Sequence, residues 1–423
     1  MVGAPPTAEP KPSPKPSTTT ISDLHEELLL EILLRLPSLP NLVRVAFTCR
    51  PWLRAIASSP EFRRRFRALH PQPLLGHFAD AEDPPDADTP EFVTAAAAAN
   101  ADADLAAVLR GGDLSFESIA EVEGGEASPG WHVVDCHGGY LLLLNPFYRM
   151  FAITNPLIRN LDFFSPLPGE VELKRKGESA FTGFHLVHSD EDPGSFTVIF
   201  VCRDKLRLRA VVFSSENGNW IVHPWIEFAA DSSVRLMSKT GVLVDGSIYW
   251  PCGCRDIMKL NIATMEFSNV ELPRNLLLPG CTLIAGDTKD GALCIVCAVD
   301  FLFLVLLRRI GSDGIETWVL QNTFTLSPYL SWVAQGLQYS YKGIRVMGVK
   351  AGYVYLAKVE VIPNAHSPYS IFSHCFSLCL ETMRLDRLPQ ERFEGRFYPY
   401  IMAWPPSLIR VDGSFGHEAK GSQ

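Results

Sequence analysis

The sequence predicts a mainly β protein with a small all-α module at its N-terminus: helices over residues 21–70, then a β-propeller of about six blades. Three observations carry this. Apolar residues between Ile21 and His70 recur at helical spacing, the pattern switches to short strands from Trp131 onward, and those strands recur in units opened by a glycine turn.

The first element is an N-terminal tail over 1–20 with six prolines, two lysines and no apolar core, a composition of disorder that lacks the features of a secretory signal. In the helical module Leu24, Leu28, Ile32 and Leu36 stand four apart, with Leu29 and Leu33 filling the same side. Asp23 and Glu26 resemble a capping box, and Pro37 stops the helix. Leu42, Val45 and Ala46 mark a second helix, Trp52 and Ile56 a third, and Ser59-Pro60 start a fourth before Phe62, Phe66 and Leu69. Four helices in about 50 residues bury little surface, so an apolar face shared with a partner is expected.

Residues 80–109 hold eight acidic side chains and no basic one. They are expected to form a mobile acidic insertion, with a marginal helix at the alanine run Ala95 to Ala99. Glycine turns then lead into aromatic and aliphatic strands at Gly139, Gly194, Gly246, Gly291 and Gly352. Each is followed by a strand, a polar turn and a strand, as in FAITNPLIRNL, VVFSSENGNWIV, LNIATMEFSNV, LLRRIGSDGIETWVL and FSLCLETMRLDRL. Such a unit is a four-stranded antiparallel sheet, and sheets of this length repeated radially make a propeller. Five units fill 131–390, and a sixth is expected from strands within 72–125 pairing with the terminal FYPYIMAW. The propeller then spans 71–412, with a flexible tail over 413–423.

A formal charge of −9 argues against a general nucleic-acid binder. The longest apolar stretch, Cys294 to Leu307, contains Asp300 and is shorter than the roughly 20 residues a membrane span needs. The ten cysteines are therefore expected as free thiols in cytosol or nucleus. Cys294 and Cys297 form a CxxC, but on a strand residues three apart face opposite ways and share no metal. Cys252 and Cys254 fall in a turn, and His374, Cys375 and Cys379 fit a strand core. His185, His188 and Asp190 read as an exposed loop, and Arg63, Arg64, Arg65 and Arg67 as a solvated helix face. No nucleophile elbow, P-loop or dinucleotide fingerprint occurs, so no catalytic set, metal or cofactor is expected. Seven tryptophans, Trp131, Trp220, Trp225, Trp250, Trp318, Trp332 and Trp404, are expected mostly between blades. Trp332 with Tyr329, Tyr339 and Tyr341 reads as a partner-contacting loop.

The run ISDLHEELLLEILLRLPSLPNLVRVAFTCRPWLRAIASSPEFRRRF resembles the F-box, the module by which substrate receptors dock on the Skp-type adaptor of a Skp-cullin-F-box ubiquitin ligase. By resemblance Leu24, His25, Leu28, Ile32, Leu33, Pro37, Val45 and Trp52 lie on or beneath the adaptor-binding surface; the family usually begins with Leu-Pro, here Leu24-His25. With ALHPQPLLGHF, WHVVDCHGG, DGSIYW and TMEFSNVELP, the chain is similar to plant F-box proteins carrying an F-box-associated, kelch-like propeller. The resemblance implies a non-catalytic receptor whose helical end holds the ligase and whose propeller holds the target. The residues alone leave open a propeller enzyme or sugar-binding protein with a helical appendage, and a DNA-associated scaffold.

Overall fold

The computed structural model describes residues 25–70, 73–80, 90–95, 103–122, 130–146, 148–164, 167–168, 179–189, 192–204, 207–227, 241–252, 255–278, 280–311, 314, 316–326, 340–362, 369–388, 392–393, 396–402, 404–405 and 408. Four helices come first: α1 (Glu26–Leu33), α2 (Leu39–Ala46), α3 (Arg50–Ser58) and α4 (Pro60–Leu69). Pro40, Pro51 and Pro60 sit in the first turns of α2, α3 and α4, where a missing N–H costs no helical bond. Ser59 caps α4 by accepting the Phe62 N–H at 3.2 Å, as expected.

The start and end of α1 differ from the sequence reading. Its N-cap is His25 and no side chain caps it. Glu26 is therefore the first helical residue, two positions short of the third-residue place a capping box requires, and Asp23 and Leu24 lie outside the described residues. The helix also stops at Leu33, before Pro37, because the Arg35 and Leu36 N–H groups bond to Ile32 and Leu33 in tighter i, i+3 turns. The apolar side divides in two: Leu29 and Leu33 are buried with Leu42, Ala46, Ile56 and Phe66, while Leu28 and Ile32 face outward.

The arginines of α4 are not uniformly solvated. Arg63 is buried and its Nη1 donates to the carbonyls of Ile56 (3.0 Å) and Ala57 at the end of α3. Carbonyls of a last helical turn lack the usual i+4 partner; that of Ile56 accepts only the Ser59 N–H at 3.4 Å along the backbone, so a buried cation at this helix C-terminus adds hydrogen bonds and suits the local field. Arg64 and Arg65 are exposed; Arg65 bridges α4 to α1 through Glu31 at 2.5 Å.

After α4 come β1 (Leu74–Asp80) and β2 (Glu91–Thr94), then α5 (Ala103–Gly111) and α6 (Glu117–Val122). The acidic stretch is thus not wholly a mobile insertion: β2 pairs antiparallel with β1 and a helix forms at 103–111, while the alanine run beyond Ala95 lies outside the described residues. Partnering decides this. Phe92 packs between Phe78 and Tyr400, so burial holds a strand that its acidic flanks alone would not.

Antiparallel meanders follow in chain order. Strands β3 to β6 (His132–His137, Tyr140–Asn145, Met150–Asn155, Asn160–Phe164) form one sheet. The next holds β7 to β10 (Ser179–Ser189, Asp192–Asp204, Arg207–Ser214, Asn219–Val222), with β11 (Ile226–Glu227) beside β9. A third holds β12 to β15 (Val242–Val244, Ser247–Cys252, Asp256–Asn261, Glu266–Glu271). Two further meanders are β16 to β19 (Thr282–Asp287, Leu293–Val299, Leu302–Ile310, Glu316–Thr325) and β20 to β23 (Ser340–Lys350, Tyr353–Ile362, Tyr369–Cys379, Leu385–Arg387), with β24 (Arg392–Phe393) on β22. One parallel pair, Gly286 opposite Val349, joins these two. A Cβ on Gly286 would stand 2.2 Å from that of Val349, so glycine is required for the approach. Finally β25 (Arg396–Ile401) returns to pair antiparallel with β1, Phe78 opposite Tyr398, which joins the two ends of the chain's β region as expected.

The repeat has a backbone cause. Gly138–Gly139, Asp245–Gly246 and Ala351–Gly352 each place two successive residues at positive φ (57° and 77°, 46° and 65°, 49° and 77°), the signature of the hairpin turn whose twist matches the strands. Gly194 departs from the repeat by lying inside β8.

His185 and His188 also depart from expectation: both lie on β7, not in a loop, while Asp190 is outside the described residues. His185 is buried against Trp250, with ring centroids 5.0 Å apart, and burial pushes its pKa down to about 3. An imidazole held neutral in the fold but protonated when unfolded contributes stability that is present above pH ~6.5 and lost as pH falls towards 3, at about 1.4 kcal/mol per unit. Urea melts at pH 7.5 and 5.0 are expected to show a loss smaller by about 2 kcal/mol in His185→Gln than in the native chain. Equal losses in both chains would contradict the buried neutral histidine.

Candidate docking surface

The helical module presents its apolar surplus on a defined side. Leu28 and Ile32, one helical turn apart on α1, are 57% and 48% exposed. Such a pair in water carries an unfavourable hydration cost that only a partner removes. Leu33, 3% exposed, lies beneath it, Val45 and Trp52 are half-buried against the module's core, and Pro37 and His25 are exposed. The His25 backbone (φ −61°, ψ 141°) is one that proline adopts, so the position keeps the conformation of the usual Leu-Pro start. Phe47, the C-cap of α2, is a further exposed apolar side chain of the module, 56% exposed, that the sequence reading did not single out. Its signal was present: an aromatic ring at a helix terminus beyond the last buried position, Ala46.

Charge surrounds the pair. Glu26, Glu27 and Glu31 share α1 with it, and the Arg65 hydrogen bond holds Glu31 below the ordinary carboxylate range. An apolar centre with an ionic rim is the composition of a protein interface.

The module is packed on the propeller rather than tethered to it. Phe66 meets Trp404 edge-on at 6.0 Å and the Arg67 guanidinium lies 4.8 Å from the Trp404 ring centre. Phe66, Trp131, Tyr400, Trp404 and Leu408 belong to one continuous core with the helices.

In the propeller Trp131, Trp250 and Trp404 are buried, and Trp220, Trp225 and Trp318 are partly buried against core clusters. Tyr329, Trp332 and Tyr339 lie outside the described residues, and Tyr341 is described only as a backbone position on β20 opposite Glu360. Cys294 and Cys297 are buried on β17 and face different cores, one with Phe303 and Val354, the other with Cys281 and Tyr249. Burial raises both thiols, Cys297 to about 12, so they are packed groups without nucleophilic character. Cys252 lies on β13 and is buried, not in a turn; Cys254 is outside the described residues. Among the described residues no group of three or more His, Cys, Asp or Glu side chains is placed to hold a metal ion.

An F-box domain model matches residues 21–64, and the model of the β-propeller of AT5G49610-like F-box proteins matches residues 132–408. The chain belongs to the AT5G49610-like F-box protein family. The F-box match covers α1, α2, α3 and the first half of α4, so it contains Leu28, Ile32, Val45, Phe47 and Trp52. No curated protein matches the chain. Among solved structures, it is similar to a quinonprotein alcohol dehydrogenase-like protein from Bacteroides thetaiotaomicron, at 10% identity over 77% of this chain and 78% of that one, with a TM-score of 0.38. Oligogalacturonate lyase in complex with manganese gives 9%, 62%, 64% and 0.34, and apo AztD from Citrobacter koseri 9%, 76%, 97% and 0.31. An F-box joined to a β-propeller supports a substrate-adaptor role for the family member. Among the described residues no helix is long and apolar enough to cross a membrane.

Proposed function

We propose that this F-box protein is the substrate-recognition subunit of a Skp-cullin-F-box ubiquitin ligase, acting in cytosol or nucleus and performing no chemistry itself. The single observation that carries the reading is the outward-facing Leu28 and Ile32 pair within the segment matched to the F-box. The docking surface comprises that pair with Pro37, Val45 and Trp52, supported from beneath by Leu33. Shared core between α4 and the propeller then fixes the distance from ligase to target, so the contribution to ubiquitin transfer is effective concentration. The target is a protein held by the propeller, contacted by the segment that carries Tyr329, Trp332 and Tyr339 and by Tyr341, which stands on β20 rather than in a loop. Co-expression of the full chain with a Skp-type adaptor and a cullin tests this. A stable stoichiometric complex that ubiquitinates a co-purifying protein when given the activating and conjugating enzymes is expected. A chain that remains free of adaptor at micromolar concentrations would overturn the reading.

A further inference from the structure

Where α4 meets the propeller, strands β3, β7, β16, β20 and β25 and the helix line an open cavity of about 400 Å³. That volume falls in the range of small-molecule sites, roughly 300–1,000 Å³. Its walls carry four cationic side chains, Arg64 and Arg67 from α4 with Lys289 and Lys350 from the propeller, against two carboxylates, Asp287 and Asp290. A positive balance inside a chain of net charge −9 is a local concentration of field, and such a concavity gathers anions.

Both carboxylates are already engaged, Asp287 by the end of β20 and the turn after it, Asp290 within its own turn. Asp287 accepts the Ala351 N–H at 3.0 Å and stands 3.3 Å from the Lys350 ammonium, and Asp290 accepts the Thr288 hydroxyl. Burial works against the charge of Lys350, but Asp287 and Asp135 more than offset it and hold its pKa above the ordinary lysine value. Asp135, behind this lysine, is turned onto the backbone N–H groups of Leu186 (2.6 Å) and Cys136 (2.8 Å). Burial, with Lys350 and His188, pushes His137 down to about 3, so the positive balance at neutral pH comes from the arginines and lysines. Arg64 and Lys289 pair outward with Glu61 and Glu381, and all four of these side chains are about half exposed or more. Pairs of that exposure hold their partners weakly, so both cations can turn to a ligand in the cavity at little cost.

We propose that this cavity binds a small polyvalent oxyanion, bearing phosphate or carboxylate groups, that is held at once by the helical module and the propeller. The ligand neutralises the lining cations, with Arg64 and Lys289 turning in from their exposed pairs, and ties α4 to the turns Asp287–Gly291 and Lys350–Ala351 across the junction. The site is independent of adaptor docking, since neither Leu28 nor Ile32 lines it.

Calorimetric titration of the full chain with sodium tripolyphosphate and, separately, with citrate at matched ionic strength tests the site. Saturable binding at one ligand per chain is expected for at least one of them. It should weaken tenfold or more in the Arg64→Gln, Lys289→Gln double variant, whose melting temperature without ligand should match the native chain because both residues are surface groups. Tripolyphosphate binding alone assigns a phosphate ligand, citrate alone a carboxylate, and both assign the shared oxyanion chemistry. Neither anion binding at millimolar concentration, or binding unaffected by the double variant, would overturn the proposal. An acidic glutamate peptide that binds where both small anions fail would replace it with a peptide site.

Discussion

Replacing Leu28 and Ile32 together by aspartate is expected to abolish adaptor binding while the melting temperature stays within a degree or two of the native chain. Both side chains are about half exposed, so in the free protein the new carboxylates stand in water and disturb no packing. In the docked state they are desolvated among apolar groups. Each lost aliphatic anchor is worth about 1.5–3 kcal/mol, and burying an unpaired carboxylate adds more. Glu26, Glu27 and Glu31 on the same helix give the new charges no cation to pair with on α1 itself. A loss of at least about a hundredfold in affinity follows from the two anchors alone. Calorimetry against a purified Skp-type adaptor measures it, with Leu29→Asp as the contrasting variant. Leu29 is 7% exposed, so its substitution should lower stability and binding together. Unchanged affinity in the folded Leu28→Asp, Ile32→Asp chain would remove the docking surface.

The division of α1 shows where the sequence ran out. Leu28 with Ile32 and Leu29 with Leu33 are two stripes one residue apart, equal in hydrophobicity and spacing. A helical period locates the stripes but cannot say which one meets the rest of the module and which one meets a partner. The hairpins were legible because they are local: a turn pair at positive φ ending in glycine lies next in sequence to both strands it joins, as at Gly138–Gly139 and Asp245–Gly246. What required the whole fold was hidden. Arg63 looks like its exposed neighbours until the C-terminus of α3 arrives to receive it. His185 sits next to a turn composition yet is buried by Trp250, sixty-five residues later. The strand Glu91–Thr94 has acidic flanks and exists through Phe78 and Tyr400, the second of which lies at the other end of the chain.

Truncation after Gln390 is expected to destroy cooperative folding, although it removes fewer than a tenth of the residues. The lost segment contains β24 and β25, and β25 pairs with β1 along Leu74 to Asp80. Without it one edge of β1 presents unpaired backbone groups, which in a partly buried sheet cost free energy and recruit other chains. Packing is lost as well. Tyr400, Met402, Trp404 and Leu408 are all buried, and the Tyr400 hydroxyl donates to the Gly139 carbonyl at 3.1 Å in the turn that opens the β3–β4 hairpin. Removing a large buried aromatic costs about 3–5 kcal/mol in its own right, and here two go together from a domain whose net stability is expected to be about 5–15 kcal/mol. The damage reaches the helices, because Trp404 contacts Phe66 and Arg67 and belongs to the same core as Leu42 and Ile56. The chain ending at Gln390 should therefore aggregate, or melt without a cooperative transition, and lose adaptor binding through a loosened α4. A chain ending at Asp412 keeps every residue of this closure, including Leu408, and should match the native chain in calorimetric melting and in adaptor affinity. A soluble protein ending at Gln390 that still melts in one sharp transition would show that β1 and the helices are stable without β25, and that the ring does not depend on joining its two ends.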